Sequence, residues 1–360
     1  MATRTTPTIL DSGAAIQNRK SKIENREGLS RREFLGAAAL VGTGALLGLR
    51  SESMAAEPPP EISKIRLLRG IAICQAPQHA AEDLLRAEGF SDVQEIRIGG
   101  PDVTARISAL GAGHGDILST YVGPFLERLD AGDSIVILSG LHVGCLELFG
   151  TDRIRTIRDL KGKTVAVTSS AAQFFLASVV SYVGLNPRKE INWVTHPSAE
   201  AIRFLAESKI DAHMAIPPDP YELRTKKIGR VLVSSSTDRP WSQYFCCMVA
   251  ANREFVRKNP VATKRALRAI LKATNICALE PERIARFLVD KGYAKNYDSA
   301  LGTLKEIPYT TWREYDPEDT IRFYALRLNE VGMIKSSPQK IIAQGTDWRF
   351  ISELKKELKG

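Results

Sequence analysis

Cysteine and histidine are both scarce in this 360-residue chain, with five of each, and aromatic side chains make up only 7%. Five thiols are too few for a disulfide-stapled scaffold, and no Cys-x-x-Cys or His-x-x-x-His spacing argues for a metal centre. No apolar run reaches the roughly 20 residues that a membrane-spanning helix needs. Absent too are a P-loop, a Gly-x-Ser-x-Gly nucleophile elbow and a paired-carboxylate motif, so the sequence nominates no catalytic residue.

What is present is an ordinary globular mixture, 44% hydrophobic and 25% charged, long enough for one large or two medium domains. The formal charge of +9 would by itself suggest nucleic acid or an anionic ligand. There is no recognition motif and no Gly/aromatic interleaving, so a nucleic-acid partner is not expected. Residues 1–56 hold eight basic side chains against five acidic ones. The rest therefore carries +6, a lean toward an anionic or zwitterionic small ligand.

Those first 56 residues read as an address. Ser30-Arg31-Arg32-Glu33-Phe34 precedes a mildly apolar Gly/Ala/Leu stretch from Leu35 to Leu49, the twin-arginine export pattern. Ser53-Met54-Ala55 offers small residues at alternate positions for a signal peptidase. Residues 1–56 are thus expected to be removed on export by the twin-arginine machinery to the periplasm. Residues 57–61, with Pro58-Pro59-Pro60, form a stiff extended leader.

From Ile62 to about Ala250 short apolar runs alternate with helical periods across brief connections, which points to α/β architecture with largely parallel sheets. Strands are predicted at 65–73, 93–98, 116–119, 135–139, 145–149, 164–167, 191–194, 212–216, 230–233 and 245–250. A helix is predicted over 78–88. Beyond Asn252 the pattern is helix after helix, each opening near a proline: 260–279, 281–291, 297–306, 317–331 and 338–343. On the first of these, Lys264, Arg265, Arg268 and Lys272 oppose Leu267, Ile270 and Leu271, which predicts a solvated basic face.

Ligands of open α/β sheets settle at the carboxyl ends of strands. Loops following predicted strands supply Gln75, whose amide could face a cleft, Thr120 and Tyr121, and Asp219, which suits a helix cap better than a ligand contact. Thr168-Ser169-Ser170 precedes a helix carrying Gln173, so its hydroxyls and free N–H groups make an anion-ready terminus or an ordinary cap. His142 is a candidate cleft residue. In an extended stretch His142 and Cys145 would point to opposite faces, as would the adjacent Cys246 and Cys247, so neither metal nor cofactor is expected. Buried free thiols are the expected state of the cysteines.

Five segments carry a family resemblance: Gly115-Asp116-Ile117-Leu118-Ser119, the stretch from Leu141 to Phe149, Asp159-Leu160-Lys161-Gly162-Lys163-Thr164-Val165-Ala166-Val167, Trp241-Ser242-Gln243-Tyr244-Phe245-Cys246-Cys247, and Asp347-Trp348-Arg349-Phe350. Together they resemble the nitrate/sulfonate/taurine-type substrate-binding proteins of ABC importers, a superfamily shared with thiamine-pyrimidine precursor proteins. The resemblance implies a two-lobed, type 2 periplasmic-binding-protein fold with a helical C-terminal portion. One lobe would join residues 62–145 with 248–360, and the other would be 146–247. It also implies ligand contacts at Ser169, Ser170 and Gln173, and a membrane permease as partner of a monomer that is not an enzyme. The rival functions are a pyrimidine-precursor-synthase-like enzyme, against which the lack of a longer cysteine cluster argues, and a periplasmic ligand sensor.

Overall fold

The computed structural model describes residues 57–70, 72–100 and 102–358; the export segment expected within residues 1–56 lies outside them. Ten strands among the described residues form two five-stranded sheets. The first contains β1 (Lys64–Leu68), β2 (Asp92–Ile96), β3 (Ile117–Tyr121) and β4 (Ile135–Val143). Then come β5 (Glu147–Gly150), β6 (Thr164–Val167), β7 (Asn192–Thr195), β8 (Ala212–Ala215) and β9 (Arg230–Ser234), which make the second sheet. β10 (Phe245–Asn252) returns to the first.

The two sheets share one topology, β2-β1-β3-β10-β4 and β7-β6-β8-β5-β9. In each, the fourth position is held by the strand that has just crossed from the other sheet, and that strand is antiparallel to both neighbours. The expectation of largely parallel sheets is thus corrected: β1, β2 and β3 run parallel, as do β6, β7 and β8, but each sheet is mixed. The reason is the crossing itself, since a strand arriving directly from the neighbouring sheet enters without a covering helix to reverse it.

Burial follows position. β3, β4, β8 and β10 are buried along their whole length and read as near-continuous runs of apolar and small residues. The edge strands β2 and β7 are half-exposed and carry Asp92, Gln94, Glu95 and Asn192. β1 stops at Leu68 rather than running to Ile73, because Gly70 lets the chain fold back so that the Gln75 side chain lies where a Cβ would be. A 3-10 turn at Ile73–Gln75 follows, and the helix predicted over 78–88 is split into Ala76–His79 and Glu82–Ala87.

The helical C-terminal portion packs as expected, but its basic face is not solvated. On helix Pro260–Leu279, Lys264 meets Glu353 and Glu357, Arg268 meets Glu88 and Glu357, and Lys272 meets Glu88. The Arg268 and Glu88 side chains are only 12% and 10% exposed. Both flanks of that helix are claimed by acidic partners that sequence spacing alone does not bring together. The leader is claimed too: Glu61 accepts hydrogen bonds from the Val261 and Ala262 N–H groups at 2.9 and 2.7 Å, and the Pro58 carbonyl accepts from Arg265.

His79 generates a test of this packing. It is buried, stacked on Tyr293 at 4.0 Å and 3.7 Å from Glu95. Burial lowers its pKa from 6.5 to about 4, with Glu95 opposing and Arg69 assisting. Above pH 6.5 the group is neutral folded and unfolded; as pH falls toward 4 only the unfolded chain takes up the proton, so stability is lost across that window. Chemical denaturation of His79→Gln at pH 7, 5.5 and 4.5 should reveal a flatter decline, the full difference being about 3 kcal/mol at the acid end.

Candidate functional site

A small cavity of about 30 Å³ sits where the carboxyl ends of both sheets meet. Its wall is drawn from the turns after β1 (Cys74, Gln75), β6 (Ser169, Ala171) and β8 (Ile216, Pro217), from the end of β3 (Thr120, Tyr121), from the first crossing (Cys145, Leu146) and from the start of β10 (Cys246, Cys247). No lining residue is charged. A roomier groove of about 580 Å³ lies at the amino ends of β1, β3 and β4, but four of its five charged side chains are engaged with one another: Arg66 with Asp116 at 2.6 Å and Glu254 with Lys258 at 3.0 Å.

The crossings meet beside the small cavity. β4 passes to β5 through Gly144 and Cys145, both at positive φ (+78° and +95°). A Cβ on Gly144 would lie 2.3 Å from Ser236 Oγ, so the close approach of the returning chain also requires glycine there. Cys145 N–H donates to Ser236 Oγ at 3.2 Å, and Leu146 N–H donates to Ser235 Oγ at 2.9 Å. Ser235 N–H answers to the Leu146 carbonyl at 2.9 Å.

Of the predicted site residues, Gln75, Thr120, Tyr121 and Ser169 line this cavity, whereas His142, Ser170, Gln173 and Asp219 are not among its lining. Gln75 does not present a free amide: Oε1 accepts from Ala72 N–H at 2.9 Å and Nε2 donates to the Ser119 carbonyl at 2.5 Å. Ser169 caps helix Ser170–Tyr182, its Oγ accepting from Ala172 N–H at 3.5 Å. Tyr121 packs edge-on against Phe175 and Tyr324, and burial pushes its phenol pKa well up.

Asp219 is neither cap nor lining residue. Its carboxylate accepts from Ser198 Oγ and lies 3.2 Å from His213 Nε2, while His213 Nδ1 is 3.3 Å from the Ala166 carbonyl. The serine addresses the carboxylate rather than the imidazole, and both imidazole nitrogens are engaged. This is a buried brace, not a nucleophile–base pair.

Four cysteines that the sequence reading weighed as buried thiols rather than metal ligands, and did not count among the site residues, line the cavity: Cys74, Cys145, Cys246 and Cys247. Cys145 Sγ lies 3.2 Å from Cys246 Sγ, and Cys74 Sγ lies 4.0 Å from Cys247 Sγ. Two strand-alternation arguments fail here for local reasons. Irregular pairing of β10 with β4 on both sides of Cys247 removes the simple alternation, and both adjacent cysteines reach the cavity. The positive-φ pair Gly144-Cys145 turns the chain beyond His142, bringing Cys145 within 4.8 Å of the His142 and Cys74 ligand atoms. The available signal was position, since Cys74 stands at a post-strand turn, Cys145 in a crossing, and Cys246 and Cys247 at the start of the strand that follows the return crossing. Hydrogen bonds from Cys145, Cys246 and Cys74 draw the Cys247 thiol well below its usual range, whereas burial pushes Cys145 and Cys246 up.

Comparison with known proteins places this geometry. The NMT1-like family profile matches residues 150–288. A Brucella abortus protein, named as a binding protein without a ligand, is 24% identical over 270 residues, 73% of this chain and 81% of its own length. The periplasmic nitrate-binding protein of Synechocystis PCC 6803 superposes with a TM-score of 0.66 at 14% identity, covering 84% of this chain and 90% of that one. The periplasmic aliphatic sulphonate binding protein of Escherichia coli gives 0.61 at 19%, covering 77% and 90%. The fold is that of the type 2 periplasmic binding proteins.

Because both ends of the Gln75 amide are internally bonded, Gln75→Ala should act on stability. It strands the Ala72 N–H and the Ser119 carbonyl, and a loss of about 1–3 kcal/mol in urea denaturation is the expected outcome.

Proposed function

We propose that this chain is the exported solute-binding component of an ABC importer, closing two lobes on a small ligand and delivering it to a membrane permease. The lobes would be residues 62–145 with 248–360, and residues 146–247. The observation that carries this reading is the pair of same-topology sheets joined by two chain crossings, with the cavity at the carboxyl ends of both. The two connections, residues 144–146 and 235–244, would allow rotation while preserving each sheet, which is what hinge closure requires.

Recognition in this cavity would use hydroxyls, thiols, backbone N–H groups and the Ser169 helix terminus, since the lining holds no cation to pair with an anion. Arg224 supplies a latch. It bonds Glu147 on β5 and Glu306 on helix Tyr297–Glu306, so it would span the two lobes. Glu306 is half-exposed, which limits such a pair to about 1 kcal/mol or less. That still shifts a two-state equilibrium several-fold. Among the described residues, Ser198, Asp219 and His213 form a brace rather than a nucleophile–base pair, which supports the binding reading.

A melting-temperature screen of the mature protein against nitrate, sulfonates, pyrimidines, amino acids and aromatic carboxylates tests the function. A true ligand at a hundred times its Kd should add about 2.7 kcal/mol of stability. Small-angle scattering of Glu306→Gln should register a larger open fraction than wild type. Replacing Arg31 and Arg32 together by Lys should trap the full chain in the cytoplasm, read by fractionation; unaltered export would refute the twin-arginine route.

A further inference from the structure

The cavity's ligand class can be read from its wall. Three separated stretches of chain deliver sulfur to one point: Cys74 after β1, Cys145 in the first crossing, and Cys246-Cys247 on β10. Ligand atoms of Cys74, Cys145 and His142 all lie within 4.8 Å of one another, and the sulfur pairs stand 3.2 and 4.0 Å apart. Around a tetrahedral ion with metal–sulfur bonds of about 2.3 Å, two sulfurs are roughly 3.8 Å apart. The observed spacings bracket that value before any ion draws them in.

His142 adds an independent observation. It is fully buried, and its Nε2 has no hydrogen-bond partner. Its Nδ1 lies 3.2 Å from the Val143 carbonyl, which can only accept, so Nδ1 carries the proton and Nε2 keeps its lone pair. A histidine whose far nitrogen is fixed by a carbonyl and whose near nitrogen is a bare lone pair is in the metal-binding tautomer. Left unmet, that buried lone pair is a desolvation cost. No carboxylate lines the cavity, which disfavours hard cations, and about 30 Å³ admits a bare ion rather than a hydrated one.

We propose that Cys74, Cys145 and His142, with a third sulfur from the Cys246-Cys247 pair as the fourth ligand, coordinate a single thiophilic d10 cation, zinc(II) or copper(I). This deepens the importer reading, on which it rests, by naming a soft metal ion as the class of ligand carried. Each thiol that joins exchanges its S–H bond for an S–metal bond and releases the proton to solvent, with no change in oxidation state. Cys145 at positive φ fits the pattern of backbone strain held at a functional position.

The test uses the mature chain, reduced and desalted under argon, titrated with zinc(II), with copper(I), and with magnesium as the hard-ion control. Cobalt(II) serves as a spectroscopic probe. One equivalent of zinc or copper(I), a thiolate-to-cobalt charge-transfer band and no magnesium binding are expected. Cys74→Ser and His142→Asn should each weaken binding by roughly a hundredfold or more, given that even outer-shell partners are worth 10–100-fold. Cys145→Gly removes the thiol while relieving φ, which keeps the test open if a serine variant misfolds. Cys277→Ser, outside the cavity, should change nothing. Binding no tighter than magnesium, or zinc binding untouched by Cys74→Ser and Cys145→Gly, overturns the proposal, as does a Cys145–Cys246 disulfide that persists under reduction. If an organic solute raises the melting temperature and no soft metal does, the metal site fails and the importer reading stands. If metal binds but scattering detects no closure, the site stands and the importer reading fails.

Discussion

Everything distinctive in this molecule depends on the short stitch between its two chain crossings. Leu146 and Ser235 exchange hydrogen bonds, and Cys145 donates to Ser236, so two strands leaving in opposite senses are held side by side over two residues of each. The hydroxyls of two serines and one backbone pair continue the β5–β9 pairing up to the crossing. Because the stitch lies beside the cavity, the proposed lobe rotation would open or close that cavity directly. The loops that line the cavity inherit their positions from it.

Most of the architecture was legible because its signals are local. β6 and helices Pro260–Leu279 and Tyr297–Glu306 have the bounds that apolar period and capping predict. The helices Val122–Asp130 and Arg349–Glu357 were missed, the first because it starts directly at the end of β3 with no polar cap to announce it. The antiparallel members of each sheet were illegible for a different reason. Strand direction is a property of the crossing, and nothing within β5 or β10 encodes it.

The site was legible only in part, and the failures are instructive. Post-strand loops do bring Gln75, Thr120, Tyr121 and Ser169 to one cavity, yet whether a side chain there faces a ligand or a neighbour is a long-range matter. The Gln75 amide goes to Ser119, more than forty positions on, and Asp219 goes to His213 and Ser198. Charge misled in the same way. The basic helix face looked outward in sequence and is neutralised by Glu88, Glu353 and Glu357 in space, so net charge says little about what the protein binds.

The place of β10 carries a consequence for how the chain assembles. β10 lies between β3 and β4, and among the described strands it is the only ladder partner β4 has. On a ribosome, the first sheet therefore cannot close until the whole of β5 to β9 and the return crossing have emerged. Until then β3 and β4 each hold an unsatisfied edge across a gap one strand wide. The N-terminal half must wait for the middle of the chain, so folding of the first sheet is gated by synthesis of the second. A nascent chain paused before Phe245 is the species most exposed to edge-to-edge association.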